Sequence, residues 1–403
     1  MITRCAAAVF LALGVGALSA RAETLEDLLV RKGVISREEV AQVGPKVTYN
    51  KGTKIDFADE KVGVGILTLV QPRYQFTDNA RESGKDNTSS FQFKRARLYL
   101  SGYALEREFT YTLMTDFVGT TDSNGASSPN LQDAFIEYHP ESNWDMRIGQ
   151  FLVPFVRESL LAYTQQFPDF SAAAQNFAVF RQPGAGVWYH GDDKKFTLGA
   201  SVYNGNSTGE GMNRPGVDTK QSAVVNARWS PLAPINVTEE GDISCTPEPA
   251  VSVGASYRYA QNKIAQEEDK TLSDSNVNAY NVDLNFKYMG FSVHGEFMGL
   301  SRTGDFENSN PLGMYAQVGY FIMPQRFELA GRYSTVECDN GGTSQCSAET
   351  DRINEVSAGG NYFFSRSHTL KMQLAWIWRK DEMKGGGEDL DTSKVILQFS
   401  SAL

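Results

Sequence analysis

From residue 61 onward, apolar and polar residues alternate with a period of two. That is the signature of strands with two unlike faces. FQFKRARLYLSGYA sets Arg95, Arg97 and Tyr99 against Ala96, Leu98 and Leu100. NAYNVDLNFKYMG sets Asn281, Asp283, Asn285 and Lys287 against Tyr280, Val282, Leu284, Phe286 and Tyr288. TLKMQLAWIWRK sets Lys371, Gln373 and Arg379 against Leu370, Met372, Leu374, Trp376 and Trp378. Runs of this kind predict about sixteen strands, starting near 62, 91, 108, 131, 143, 184, 195, 222, 250, 278, 290, 312, 326, 352, 368 and 392.

The connections mostly alternate in length. LERE, HPES, GDDK, MG, MPQR and SRS are tight, whereas TDNARESGKDNTSS, YNGNSTGEGMNRPG and ECDNGGTSQCSAET are long and polar. Short turns at one end and long loops at the other predict an all-β fold, a transmembrane antiparallel β-barrel of about sixteen strands. A secreted β-sandwich would keep its outer faces polar, but here one face of nearly every run is apolar. A barrel of about eight strands would be filled by side chains, whereas about sixteen leave an aqueous lumen. Aromatic residues recur near the ends of the runs, as an interfacial girdle requires. One segment departs from the layout. PLAPINVTEEGDISCTPEP, residues 231–249, falls where a short turn is due; it is either a periplasmic excursion or a local error of register.

The N-terminus is different in kind. Arg4, the apolar run 5–18 and Ala20-Arg21-Ala22 read as a signal peptide over 1–22, cleaved before Glu23; the alternative is an N-terminal anchor helix. Thr24 with Asp27 and Ser36 with Glu39 have capping-box spacing, and Gly33 sits where a helix would end. Residues 23–50 are therefore expected to be a periplasmic helical segment, either a small capped appendage or an assembly element. Residues 51–403 are the barrel domain. Elsewhere there is no apolar stretch of about eighteen residues to form a membrane helix.

The net charge of −10 argues against a nucleic-acid partner. Cys338 and Cys346 bracket DNGGTSQ, a spacing compatible with a local disulfide in an oxidising compartment. Cys245 is left over. No cofactor or metal site is expected, because His is scarce and none lies near these cysteines. Enzymatic activity is not expected either. His139, His190 and His368 fall at short turns, and no nucleophile motif accompanies His294 and Glu296.

RIGQFLVPFVRESL, residues 147–160, interrupts the hairpin rhythm. Pro154 cannot donate to a ladder and ends the pairing. About thirty residues then pass before the next strand, too long for an idle connection. Phe155, Leu160, Leu161, Phe167, Phe170, Phe177 and Phe180 lie there and need a wall to pack on. A loop over 153–183 folded into the lumen would supply one and narrow the channel.

RIGQFLVPFVRESL, the upstream RARLYLSG and the downstream RQPGAGVWYHG…LGASVYNGN together resemble the phosphate-selective porin O and P family, in order and spacing, from about residue 60 to the C-terminus. The resemblance implies a trimeric sixteen-stranded channel in the bacterial outer membrane, with the third loop folded inward and Arg and Lys lining an anion path. It implies as partners outer-membrane lipid and lipopolysaccharide, small anions such as phosphate, and two further copies in a homotrimer. Arg95 and Arg97 match the family's arginine pair on the second strand. Gly149, Gln150, Phe151, Pro154, Phe155 and Glu158 match the start of the inward loop, and Arg181 and Gly184 its end. Leu152 stands where the family often has Lys, and no Lys occurs between Phe151 and Asp193. Both departures weigh against strong phosphate selectivity. Phe399 is also not the terminal residue, unlike the usual barrel aromatic.

The candidate pore residues are Arg95, Arg97, Arg147, Arg157, Glu158, Arg181, Arg228, Arg258, Lys287 and Arg332. Parity adds Lys371, Arg379 and Lys394 to the basic lumen, and Asp116, Asp133, Glu137, Asp145, Asp283, Glu296, Glu328 and Glu355 to the acidic lumen. Arg95 and Arg97 share a face about 7 Å apart along the strand, so they could pass an anion between them. Alternatively they form a bracing girdle with Asp116, Asp133 or Glu137. The function expected is passive diffusion of small hydrophilic solutes, anions including phosphate among them. A general weakly selective porin and a mainly structural or adhesive barrel remain as alternatives.

Overall fold

The computed structural model describes residues 31–34, 45–49, 52–57, 60–79, 86–118, 129–204, 220–265, 271–304, 308–339 and 343–403. The signal peptide expected over 1–22 and, apart from residues 31–34, the helices expected over 24–43 lie outside them.

Two short strands, β1 (Lys46–Tyr49) and β2 (Thr53–Phe57), form a hairpin. β1 lies at the end of the 23–50 segment, beyond the helices expected over 24–43: VTY carries β-branched and aromatic residues that favour extended backbone. The barrel follows as β3 (Val62–Asp78), β4 (Thr88–Ala104), β5 (Phe109–Asp116), β6 (Asn130–Tyr138), β7 (Trp144–Leu152), β8 (Arg181–His190), β9 (Phe196–Asn204) and β10 (Gln221–Trp229). Its second half is β11 (Ala250–Ala265), β12 (Thr271–Tyr288), β13 (Phe291–Gly304), β14 (Leu312–Met323), β15 (Phe327–Glu337), β16 (Thr350–Phe363), β17 (Leu370–Met383) and β18 (Leu390–Ala402).

Each of these strands pairs antiparallel with the next, and β18 pairs with β3, so the sixteen close on themselves. Closure removes every free sheet edge from lipid. β3 changes partner along its length. Its first residues, Val62 to Ile66, pair with β2, and the stretch from Leu69 to Asp78 pairs with β18.

Alternation sets the two surfaces. On β12, Tyr280, Val282 and Leu284 face outward and are exposed, while Asn281, Asp283 and Asn285 face inward and are buried. The inner face is not uniformly wet, however. Ala260, Val277, Ala279, Met298, Val336 and Ile353 form an apolar patch on the inside of β11 to β16.

One irregularity moves a charge. Gln71 pairs with Arg95 and Pro72 with Phe93, so Lys94 is an extra residue in β4. Pro72 has no N–H for the ladder, and a bulge accommodates it. Beyond the bulge the faces exchange: Phe91 and Phe93 point outward, and Arg95 and Arg97 inward. Lys94 also reaches the lumen.

Candidate functional site

The connection from β7 to β8 enters the barrel. Phe151, Val153, Phe155, Val156 and the short helix α1 (Ala172–Phe177) pack against the apolar inner patch. Ser171 caps α1, its Oγ accepting from Ala174 N. Burying a Phe or Leu contributes about 1.5–3 kcal/mol, so this loop is held chiefly by its own aromatic residues. The connection closed by the Cys338–Cys346 disulfide, with Cα atoms 5.6 Å apart, holds α1 from above. Thr343 Oγ1 and Gln345 N both donate to Asn176 Oδ1, at 2.8 and 2.9 Å.

Residues 231–249, between β10 and β11, are an excursion with the register intact on both sides. They also enter the lumen, and Glu240 and Asp242 are buried there. Glu240 N donates to Thr164 O at 3.1 Å, and Gln166 N donates to Glu240 Oε2 at 2.9 Å. The excursion and the third loop therefore meet inside the barrel. Lys287 Nζ donates to Glu239 O at 2.7 Å and secures the excursion to the wall.

Arg157 joins the two segments. Its Nη2 lies 3.1 Å from Glu240 Oε1 and 2.7 Å from Tyr315 Oη, and its Nη1 lies 3.1 Å from Val237 O. Glu158 accepts from Ser171 N and Oγ, and from Arg332 Nη1 at 3.1 Å. Arg332 also donates to Glu355 and stacks on Phe167 at 4.7 Å. Arg157, Glu158 and Arg332 are thus buried in the packing of the constriction and do not face an open path. Parity located the backbone of Arg332 correctly, but nothing in the sequence showed that the loop would cover it. Lys371 is buried the same way, donating to Gln165 O.

Strands β4 to β8 carry a second set of charges. Arg97 pairs with Asp116 at 2.6 Å, Arg181 with Asp133 at 2.8 Å, and Arg147 with Glu137 at 2.5 Å. Arg147 also stacks among the rings of Phe135, Phe151 and Trp188. Arg228 is bidentate on Asp283, at 2.8 and 2.7 Å, and Arg379 on Asp381. A Cβ on Gly254 would meet both members of the Arg228–Asp283 pair, so a side chain there would push the pair from its present position.

Arg95 and Arg258 differ from these. Neither has an ion pair among the described residues. Arg258 Nε donates to Ser222 Oγ. Arg95 Nη1 donates to Gln71 Oε1 at 2.9 Å and to Ala162 O at 3.0 Å, and its guanidinium stacks on Phe170. Beside it, a cavity of about 260 Å³ is bounded by Arg95, Arg97, Arg181, Phe170, Phe180 and Leu152. Nearby, Asp169 is held by Arg73 at 2.9 Å and Lys94 at 2.5 Å. Burial would raise the Asp169 pKa, but Lys94 and Arg73 outweigh it and hold the carboxyl well below its ordinary range. Sequence reasoning missed Arg73 and Lys94. Pro72 inside a strand was the available signal for the bulge that turns Lys94 inward. The wall thus supplies the lysine that the loop sequence lacks.

A sequence profile of the phosphate-selective porin O and P family matches residues 68–400. The chain belongs to this family. The porin's barrel is also similar to solved structures. The outer-membrane channel DcaP of Acinetobacter baumannii is 15% identical, with a TM-score of 0.59 over 86% of this chain and 99% of that one. An anion-selective porin from Comamonas acidovorans is 12% identical, with a TM-score of 0.58 over 85% and 100%. OmpT of Vibrio cholerae is 10% identical, with a TM-score of 0.56 over 86% and 100%. At these identities the likeness is one of fold. No curated protein matches the sequence. Family and fold make the protein an outer-membrane channel, and its lumen is the functional site.

Proposed function

We propose that this porin is a passive diffusion channel that prefers small anions, phosphate among them. The supporting observation is the charge around the 260 Å³ cavity. Arg73, Lys94, Arg95, Arg97 and Arg181 face Asp116, Asp133 and Asp169, a surplus of two positive charges. Arg95, the member without a carboxylate, borders the cavity itself. A planar guanidinium that stays charged suits phosphate or carboxylate, and charge of one sign at a constriction sets ion selectivity. The paired arginines brace the wall, so bracing and selectivity fall to different residues of one cluster.

We further propose export through a signal peptide over 1–22 and assembly as a homotrimer. The outer wall of β7 to β12 supports the trimer. It carries an apolar concavity of about 800 Å³ lined by Trp144, Leu198, Ala200, Val225, Tyr257 and Val282, where small side chains let a second copy approach. Reversal potentials in a KCl gradient test the channel reading. Anion preference, with current reduced by phosphate, is expected; cation preference overturns it.

A further inference from the structure

A polar ladder runs along the barrel wall at its short-turn end, from β6 across β7 to β8. Asp145 on β7 lies at its centre. His139, just past β6, places Nδ1 2.7 Å from Asp145 Oδ1, and His190 at the end of β8 places Nε2 2.8 Å from Asp145 Oδ2. His139 Nε2 lies 3.6 Å from Glu137 Oε1 and 3.1 Å from Thr110 Oγ1. Glu137, His139 and Asp145 each offer one donor atom within 4.8 Å of the others. His139 and Asp145 are partly exposed and Glu137 is buried, so a dissolved ion reaches the site at the first two.

We propose that Glu137, His139 and Asp145 bind a divalent transition-metal ion, zinc being the representative case. One imidazole and two carboxylates suit zinc at about 2.0–2.2 Å, with water completing the shell. Binding at His139 Nδ1, which faces Asp145 at 2.7 Å, releases any proton on that nitrogen to solvent, because the ligand is the neutral ring. His190 does not ligate. It donates to the second oxygen of Asp145 and orients that carboxylate, a role outer partners of metal ligands commonly fill. Thr197 Oγ1 lies 3.1 Å from His190 Nδ1 and fixes the ring in turn. Among the described residues, Arg147 is the one Lys or Arg in contact, held to Glu137 and enclosed by three rings. The two carboxylates outnumber it.

The test is calorimetric titration of Zn²⁺ into untagged, detergent-solubilised porin, alongside H139Q, D145N and H190Q variants. Each variant's folding is checked by heat-modifiable migration. One saturable site per chain is expected in the native protein. H139Q keeps an amide donor for Asp145 but should weaken binding by at least about tenfold, and H190Q by about tenfold or more. Zn²⁺ added to the periplasmic side of a bilayer should reduce current in the native porin but not in H139Q. If H139Q does not fold, D145N provides the same comparison. Absence of saturable binding, or unchanged affinity in folded H139Q or D145N, overturns the proposal.

Discussion

Arg157 Nη2 lies 3.1 Å from Glu240 Oε1, with both side chains fully buried. The two residues belong to segments that enter the lumen from opposite ends, the third long loop and the β10–β11 excursion. Their pair sets how far each segment reaches, and so how much of the lumen is filled. Removing one member of a buried ion pair commonly costs about 3–5 kcal/mol. Arg157 Nε also lies 3.7 Å from Glu296 Oε1, which places Glu240→Ala toward the low end. That variant should show larger single-channel conductance and more open-state noise. The R157A/E240A double variant should cost less than the sum of the singles.

The same pair predicts a pH response. Burial would raise the Glu240 pKa, but Arg157 outweighs it and the group falls from 4.5 to about 2. A depressed carboxylate contributes its stability fully above the unfolded value and loses it as pH falls through the folded value. The pair therefore persists to about pH 4.5 and weakens from there toward about pH 2. Without Arg157, burial dominates and Glu240 titrates higher. Thermolysin cleavage within 153–180 should stay low in the native porin from pH 8 to 5; in Arg157→Ala it should be highest at pH 8, where the buried Glu240 carboxylate is charged and unpaired, and fall toward pH 5 as that carboxylate protonates.

The Cys338–Cys346 bridge closes a short loop, with a sequence separation of 8. That loop grips α1 through Thr343 and Gln345. Chain entropy alone makes such a bridge worth roughly 2–3 kcal/mol. Cys346→Ser, or a reducing agent, should lower the thermal midpoint and add sub-conductance events while the barrel stays folded. Unchanged single-channel records would show that α1 is held by its own packing.

The barrel was legible in the sequence because lipid and water impose opposite chemistry on alternate residues. The sixteen runs correspond to β3 to β18, and the short turns fall where LERE, HPES and MG predicted them. The inward loop was legible because its phenylalanines could not face water. Three things were not legible. Lys94 sits beyond a bulge, and strict parity assigns it to the wrong face. Arg157, Glu158 and Arg332 read as pore charges, yet their burial depends on contacts between residues as far as 174 positions apart. Residues 231–249 were legible only as one of two readings, a periplasmic excursion or a register error, because their destination, the loop they meet, depends on tertiary structure. Arg97 pairs with Asp116, as the bracing alternative required, and Arg95 has no such pair among the described residues; Arg147 and Arg181 join the girdle on Glu137 and Asp133, which that alternative did not foresee.

The central claim is that Arg95 supplies the uncompensated charge of the filter. The direct measurement is the reversal potential across bilayers in a KCl gradient, for the native porin, Arg95→Ala, and the charge-neutral R97A/D116A pair. Anion preference is predicted for the native channel, strongest near 0.1 M salt, where the screening length is about 10 Å, and weaker near 1 M, where it is about 3 Å. Arg95→Ala should lose most of that preference, and R97A/D116A should keep it. A cation-selective native channel, or equal selectivity in the native porin and Arg95→Ala, would contradict the account.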